Sequence, residues 1–240
     1  MIKAVIFDFN GIIIKDERIH QQLIEELLLE ENLVIKPGEY QKICLGRSDR
    51  ACLQDLLAIR GRVVDEEYLT KLQRKKAQRY ESQIEGLEEL PLYPGLNDLI
   101  LKILSSNLKL ALVSGAIRQE IKLVLERAEL TEYFKIIVAG DDITISKPKP
   151  DGYLLALERL RQAYPEINLQ AEECLVIEDT LVGIQAAKAA GMKVIGVANT
   201  YPFHMLQRQA NWTVDYLNEL ELERIQEIYS PAAIQPEGDD

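Results

Sequence analysis

The feature that most restricts the fold is a series of short, nearly unbroken apolar runs spaced along the 240 residues. "KAVIF", "LKLALV", "KIIVA", "CLVIE", "KVIGVA" and, more weakly, "WTV" are rich in Val, Ile and Leu and too short for helices. Runs without polar alternation suit strands covered on both faces. Most are separated by segments of helical period, clearest in Ile117, Ile121, Val124, Leu125 and Ala128. Strand and helix in alternation predict an α/β fold built on a mostly parallel, Rossmann-like sheet. Residues 16–91 break the rhythm. They carry helical patterns only, such as Ile19, Leu23 and Leu27, and later Tyr68, Leu69 and Leu72. This stretch is read as an all-helical domain inserted after the first strand, with the chain re-entering the core near "PLYPG" (Pro91–Gly95). Residues 1–15 and 92–240 then form the core, and 231–240, "PAAIQPEGDD", are expected to be a frayed acidic tail.

Composition narrows the partners. A formal charge of −11 with pI near 4.9 argues against a general nucleic-acid binder, which needs a clustered basic face. No apolar run reaches the roughly 18 residues of a membrane span. The N-terminus enters a strand at once, without a signal-peptide pattern. Cys44, Cys52 and Cys174 are odd in number and lack metal-like spacing. No disulfide framework is expected of them, and they read as small buried residues of a reducing compartment. These features predict a cytoplasmic protein, a monomer or weak homodimer, with no membrane or nucleic-acid partner.

In a parallel α/β sheet, ligands gather beyond the carboxyl ends of the strands. Four polar groups fall at such ends: Asp8 and Asn10 in "VIFDFNGIII", Ser114-Gly115, Lys147 in "SKPKPD", and Glu178-Asp179. Each has a plainer alternative when taken singly. Asp8 could cap a turn, Ser114 the helix opening at Ala116, and Glu178-Asp179 the helix near Thr180. Together they suit phosphoryl transfer. A carboxylate can attack phosphorus to form an aspartyl phosphate. Because nucleophile and phosphate are both anionic, a divalent cation must bridge them, and hard oxygen donors suit Mg²⁺. Ser114 and Lys147 supply a hydroxyl and a point charge to the phosphate.

The segments "DFNGIII", "VSGA", "SKPKPDGYL" and "VIEDTLVGIQAAKAAGM" resemble the four motifs of the haloacid dehalogenase-like hydrolases. The likeness is to the branch of phosphoglycolate phosphatase and β-phosphoglucomutase, which carries a helical cap after the first motif. It implies a core strand order 5-4-1-2-3 and a small phosphorylated metabolite as substrate. Residue by residue it makes Asp8 the nucleophile, Ser114 (with Gly115) and Lys147 the phosphate ligands, and Asp8, Asn10, Glu178 and Asp179 the Mg²⁺ site. Position 10 matches the family's acid/base aspartate. Asn10 keeps the backbone carbonyl that would meet the metal but has no titrating carboxyl.

In the cap, "CLGRSDRACL" (Cys44–Leu53) is similar to the loop that reads the leaving group in this family. Gly46, Arg47, Ser48 and Arg50 are its candidate specificity residues, against the alternative of an ordinary helix start capped by Ser48 or Asp49. His20, just inside the cap, is a further candidate against the preferred reading of a surface or cap-packing residue; "QRKKAQR" reads as a solvated helix face, Lys149 and Asp141-Asp142 as loop supports, and Trp212 as edge-strand packing. Three functions stay open: a Mg²⁺-dependent phosphatase slowed by Asn10, a phosphosugar mutase, and a non-catalytic phosphometabolite binder. Asn10 itself fits a natural substitution or one introduced to trap a phospho-enzyme.

Overall fold

A computed structural model of the chain describes residues 1–230, so the segment 231–240 expected to fray lies outside the described residues. The elements run β1 (Ala4–Phe7), α1 (Glu17–Glu30), α2 (Glu39–Ile43), α3 (Asp49–Ala58), α4 (Glu66–Glu85), α5 (Leu96–Ser105), β2 (Lys109–Val113), α6 (Arg118–Arg127), β3 (Ile136–Val138), α7 (Asp151–Ala163), β4 (Cys174–Glu178), α8 (Leu181–Ala189), β5 (Lys193–Val197), α9 (Phe203–Leu206), β6 (Trp212–Val214) and α10 (Leu222–Ile228). The strands form one parallel sheet in the order β3-β2-β1-β4-β5-β6. Read from the other edge, its first five strands have the neighbours implied by 5-4-1-2-3, and β6, the faint "WTV" run, extends the sheet beyond β5. Trp212 sits on that edge strand, under the guanidinium of Arg224.

Both faces of the sheet are covered, as unbroken apolar runs require. Val5 and Phe7 of β1 join one apolar cluster with Leu99, Ile100, Ile121 and Val124 of α5 and α6. Ala4 and Ile6 point the other way, into a cluster with Tyr153, Leu157 and Ile184 of α7 and α8. The helices between β1 and α5 hold a third cluster, in which Leu27, Leu53, Leu57 and Leu69 pack together. Tyr80 and Ile84 at the end of α4 instead belong to the first cluster, and α4 packs on α6. The chain leaves and re-enters the sheet side by side. The Lys15 N–H donates to the Pro91 carbonyl and the Tyr93 N–H to that of Ile13. Among the described residues, no helix is long and apolar enough to cross a membrane.

One expectation fails here. Cys44 and Cys52 are joined in a disulfide, and only Cys174 is free and buried. The turn through Gly46 and Arg47 folds the end of α2 against the start of α3, bringing the two Cα atoms to 4.7 Å. Spacing along the chain carries no sign of that turn.

Candidate active site

Two strand ends build the centre of the site. Asp8 follows β1, Glu178 closes β4, and Asp179 follows it; all three are buried, and one carboxylate oxygen from each lies within 4.8 Å of the others. Lys147 reaches in from the loop before α7, its Nζ donating to Asp8 Oδ1 at 2.7 Å and to Glu178 Oε1 at 2.6 Å. Burial alone would lower the lysine's pKa, but Asp8 and Glu178 more than offset this and hold it above the ordinary value.

One cation does not balance three carboxylates. Burial, then Glu178, push Asp8 up to about 7 against the pull of Lys147. Burial, Asp8 and Glu178 raise Asp179 well above its usual range. The three acids also differ in how they are held. Glu178 Oε1 also accepts from Tyr153 (2.7 Å), and its Oε2 from the N–H groups of Asp179 and Thr180 and from the Thr180 hydroxyl. Among the described residues, Asp179 Oδ2 accepts only from the Thr200 hydroxyl, and Oδ1, buried, has no partner. An orphaned carboxylate oxygen beside Asp8 suits a hard divalent cation. Gly11 makes this packing possible: it has φ +84°, and a Cβ there would lie 1.9 Å from Asp179 Oδ2. Its carbonyl accepts from Asn199 Nδ2 at 2.6 Å.

Ser114 is buried. Its Oγ accepts from the Ala116 N–H at 2.9 Å and lies 3.4 Å from Asn10 Oδ1. The serine therefore makes a tight turn, and Ile117 occupies the N-cap of α6. Asn10 turns its amide from Asp8 toward α1, donating to Asp16 Oδ1 and Oδ2 at 3.0 and 3.1 Å; its Nδ2 also lies 2.9 Å from His20 Nε2.

Behind Asn10 lies a buried network that sequence reasoning missed. His20 Nε2 is 3.2 Å from Asp16 Oδ2, and Tyr80 donates its hydroxyl to the same oxygen. Lys76 Nζ donates to His20 Nδ1 (2.7 Å), Asp49 Oδ2 (2.6 Å) and Glu120 Oε1 (3.2 Å). Burial and the Lys76 charge would lower the pKa of His20, but Asp16, which faces Nε2, and Glu120 outweigh them and raise it above the ordinary value. His20 is therefore neither a surface residue nor only packing, though its ring does stack on Tyr80 with centroids 4.8 Å apart. The expectation of a solvated "QRKKAQR" face fails at Lys76, which is fully buried. A signal was available: Lys76 falls on the stripe Leu69, Leu72, Tyr80 of α4, and Glu120 on the stripe Ile117, Ile121, Val124 of α6.

The site and the network share a cavity of about 40 Å³ lined by Asp8, Asn10, Gly115 and Lys147 at one end and Glu17, His20, Tyr40 and Asp49 at the other. Of the four loop candidates, Gly46 and Arg47 line it. Gly46, φ +74°, brings the loop onto the core, where a Cβ would meet Thr180 Oγ1 and Val182 Cγ2 at 2.7 Å. Ser48 instead caps α3, and its N–H donates to Ser146 Oγ at 2.8 Å. Arg50 turns away to Glu66 and does not line the cavity. Asp141 and Asp142 brace the loop after β3 through Arg118 and Arg159, as expected of loop supports.

Residues 5–197 match the family model described as haloacid dehalogenase-like hydrolase. The chain belongs to this family. Among its relatives in the family is a phosphorylated carbohydrates phosphatase of Thermotoga maritima, 28% identical, the alignment covering 83% of this chain and 87% of that protein. Two solved structures share the fold. β-Phosphoglucomutase from Clostridium difficile has a TM-score of 0.81 at 26% identity, covering 98% and 100% of the two chains. An aspartate-to-asparagine mutant of CbbY from Rhodobacter sphaeroides, in complex with xylulose-(1,5)bisphosphate, has a TM-score of 0.76 at 25% identity, covering 92% and 97%.

Proposed function

We propose that this hydrolase is a phosphatase that cleaves a small phosphorylated carbohydrate through an aspartyl phosphate on Asp8, with its turnover slowed by Asn10. The observation that carries the proposal is the pairing of Asp8 with Lys147 at the cavity floor, beside the orphaned Oδ1 of Asp179. Mg²⁺, held by Asp8, the Asn10 carbonyl and Asp179, would neutralise charge on the phosphoryl group and on the carboxylates that crowd it. Glu178, saturated by its own bonds, positions Lys147 rather than completing that site. Lys147 favours the ionised form of the nucleophile against burial and Glu178 and meets a phosphoryl oxygen, while Ser114 and the Gly115 turn supply hydrogen bonds to another. The free Asp8 oxygen attacks phosphorus, the ester bond breaks, and its electron pair leaves on the alcohol oxygen. Water then cleaves the acyl phosphate, returning Asp8 and releasing inorganic phosphate. The helices of residues 16–91 act as a lid, opening about the two bridged linker segments at Ile13–Lys15 and Pro91–Tyr93. A phosphosugar mutase would need a proton relay at position 10 in both directions, so Asn10 favours the phosphatase.

Fresh protein mixed with an aryl phosphate and Mg²⁺ should gain one phosphoryl group, located on Asp8 by peptide mass spectrometry. Asp8→Asn should lose at least about 10⁴-fold in turnover, as nucleophile removal does. A chain that shows neither labelling nor hydrolysis is a binder.

A further inference from the structure

The phosphoryl end of the cavity presents Lys147, but the end that must hold the leaving group presents no such cation. Glu17 and Asp49 face it, with Tyr40, His20 and the Cys44–Cys52 disulfide beside them. Among the described residues, every cation within reach already has a carboxylate. Arg47 Nη1 donates to Asp55 Oδ2 and the Ile43 carbonyl, each at 2.8 Å. Lys76, behind the wall, is divided between Asp49 and Glu120, and Arg50 is bound to Glu66. Against burial and the Lys76 charge, Asp16 and Glu120 raise His20 above its ordinary pKa, and Asp16, 3.2 Å from its Nε2, matches it. A second phosphate in this space would lose its water beside Glu17 and Asp49 and find no unmatched positive charge.

What the wall does offer is hydrogen bonding to neutral oxygens. Glu17 and Asp49 can accept from hydroxyls. Tyr40, now donating to Glu17 Oε1 at 2.6 Å, can turn its hydroxyl to a ligand. Arg47 Nε is buried without a partner, one N–H free for an ether or hydroxyl oxygen. We infer, resting on the phosphatase reading above, that the substrate is a monophosphate ester of an uncharged, hydroxyl-rich alcohol, and that bisphosphates and phosphorylated acids are rejected at the acidic wall. A site that hydrogen-bonds hydroxyls can discriminate strongly, because the wrong group leaves its buried polar atoms unpaired.

The test compares matched pairs: fructose 6-phosphate with fructose 1,6-bisphosphate, and ribulose 5-phosphate with ribulose 1,5-bisphosphate. kcat/KM is measured with Mg²⁺, with p-nitrophenyl phosphate as the control for chemistry, and each pair is also titrated calorimetrically. Monophosphates should lead by at least about a hundredfold, roughly 2.7 kcal/mol. Glu17→Gln should narrow that ratio at least about fivefold by raising the bisphosphate value, roughly 1 kcal/mol. Equal or better use of a bisphosphate overturns the inference, as does a ratio that Glu17→Gln leaves unmoved. Failure to turn over even p-nitrophenyl phosphate counts against the phosphatase reading instead, and the calorimetric ratio then decides the inference by itself.

Discussion

Two buried groups of charges meet at Asn10, and they are kept in opposite ways. On the sheet side, Asp8 and Glu178 share one lysine that does not bond Asp179; Asp8 is pushed up to about 7, and among the described residues Asp179 holds an oxygen with no partner. On the helical side, burial alone would raise Asp16, but His20, Tyr80 and Asn10 bond it and keep it below the usual aspartate value. There Lys76 is matched by Asp49 and Glu120, although burial raises Glu120 and Tyr80. The contrast separates two uses of buried charge. A network whose atoms are all bonded holds geometry. A cluster left short of positive charge is arranged for something that arrives from outside.

The helical network should therefore fail as a fold when broken. Lys76→Met strands Asp49 and Glu120 against each other in the interior. Removing one partner of a buried charge pair costs about 3–5 kcal/mol. For a chain of this size that is a fall in Tm on the order of 10 °C by calorimetry. Adding Glu120→Gln to Lys76→Met should recover part of it. Lys75, next in sequence but exposed and paired with exposed Glu30, should be replaceable with little change in Tm. If Lys76→Met melts like the native chain, the network is not structural and the contrast fails.

The two groups also differ in how far they could be read from sequence. Asp8, Lys147, Glu178 and Asp179 each stand at a strand's carboxyl end, so the alternation of strand and helix was enough to bring them to one edge. The same rule applied after β5 would have found Asn199 and Thr200, which hold the Gly11 carbonyl and Asp179. Asp16, His20, Lys76 and Glu120 come from three helices and the start of one, and their convergence depends on how α1, α4 and α6 pack. Sequence could show only that Lys76, His20 and Glu120 lie on apolar stripes, where a charge needs a partner. The Cys44–Cys52 bridge and the turning away of Arg50 depend on a single loop conformation, which periodicity does not reach. The strand order of the sheet came from family resemblance, since periodicity is blind to it.

The sheet side should respond to a cation where the helical side does not. Asp8 and Asp179 have folded pKa values above the unfolded 3.8, so the folded chain binds more protons than the unfolded one between about 4 and 7. Metal-free stability attributable to them is present at low pH and falls as pH rises through that window. Asp16, lowered, acts in the other direction: its contribution is present above 3.8 and is lost only as pH falls through its folded value. Mg²⁺ should raise Tm more at pH 7.5 than at pH 5, by about 2.7 kcal/mol equivalent when supplied at about a hundred times Kd. Asp179→Asn should abolish this gain. An equal Mg²⁺ shift at both pH values, or one that survives Asp179→Asn, places the cation elsewhere.

The smallest expected effect lies at the residue the two groups share. Asn10→Asp restores a titrating group but removes the amide that now bonds Asp16. Two carboxylates about 3 Å apart cannot both stay ionised without cost, so one keeps its proton toward neutral pH. That is the form needed to protonate a leaving alcohol. A positioned acid/base contributes roughly 10²–10⁴-fold. Partial sharing of the proton with Asp16 points to the low end, and we expect Asn10→Asp to raise kcat at least about tenfold, roughly 1.4 kcal/mol. The gain should be larger for an alkyl than for an aryl phosphate, because the aryl leaving group needs little protonation. Adding Asp16→Asn to Asn10→Asp restores an amide–carboxylate pair in reversed order, lowers the pKa of the new acid, and should shift the alkaline limb of the rate profile to lower pH. Asn10 precedes Gly11, a sequence prone to deamidation, so native activity must be taken from fresh protein whose Asn10 peptide is intact by mass. If Asn10→Asp is no faster than such protein on any ester, the carboxyl at this position is not what limits the chemistry, and the binder reading gains over the phosphatase.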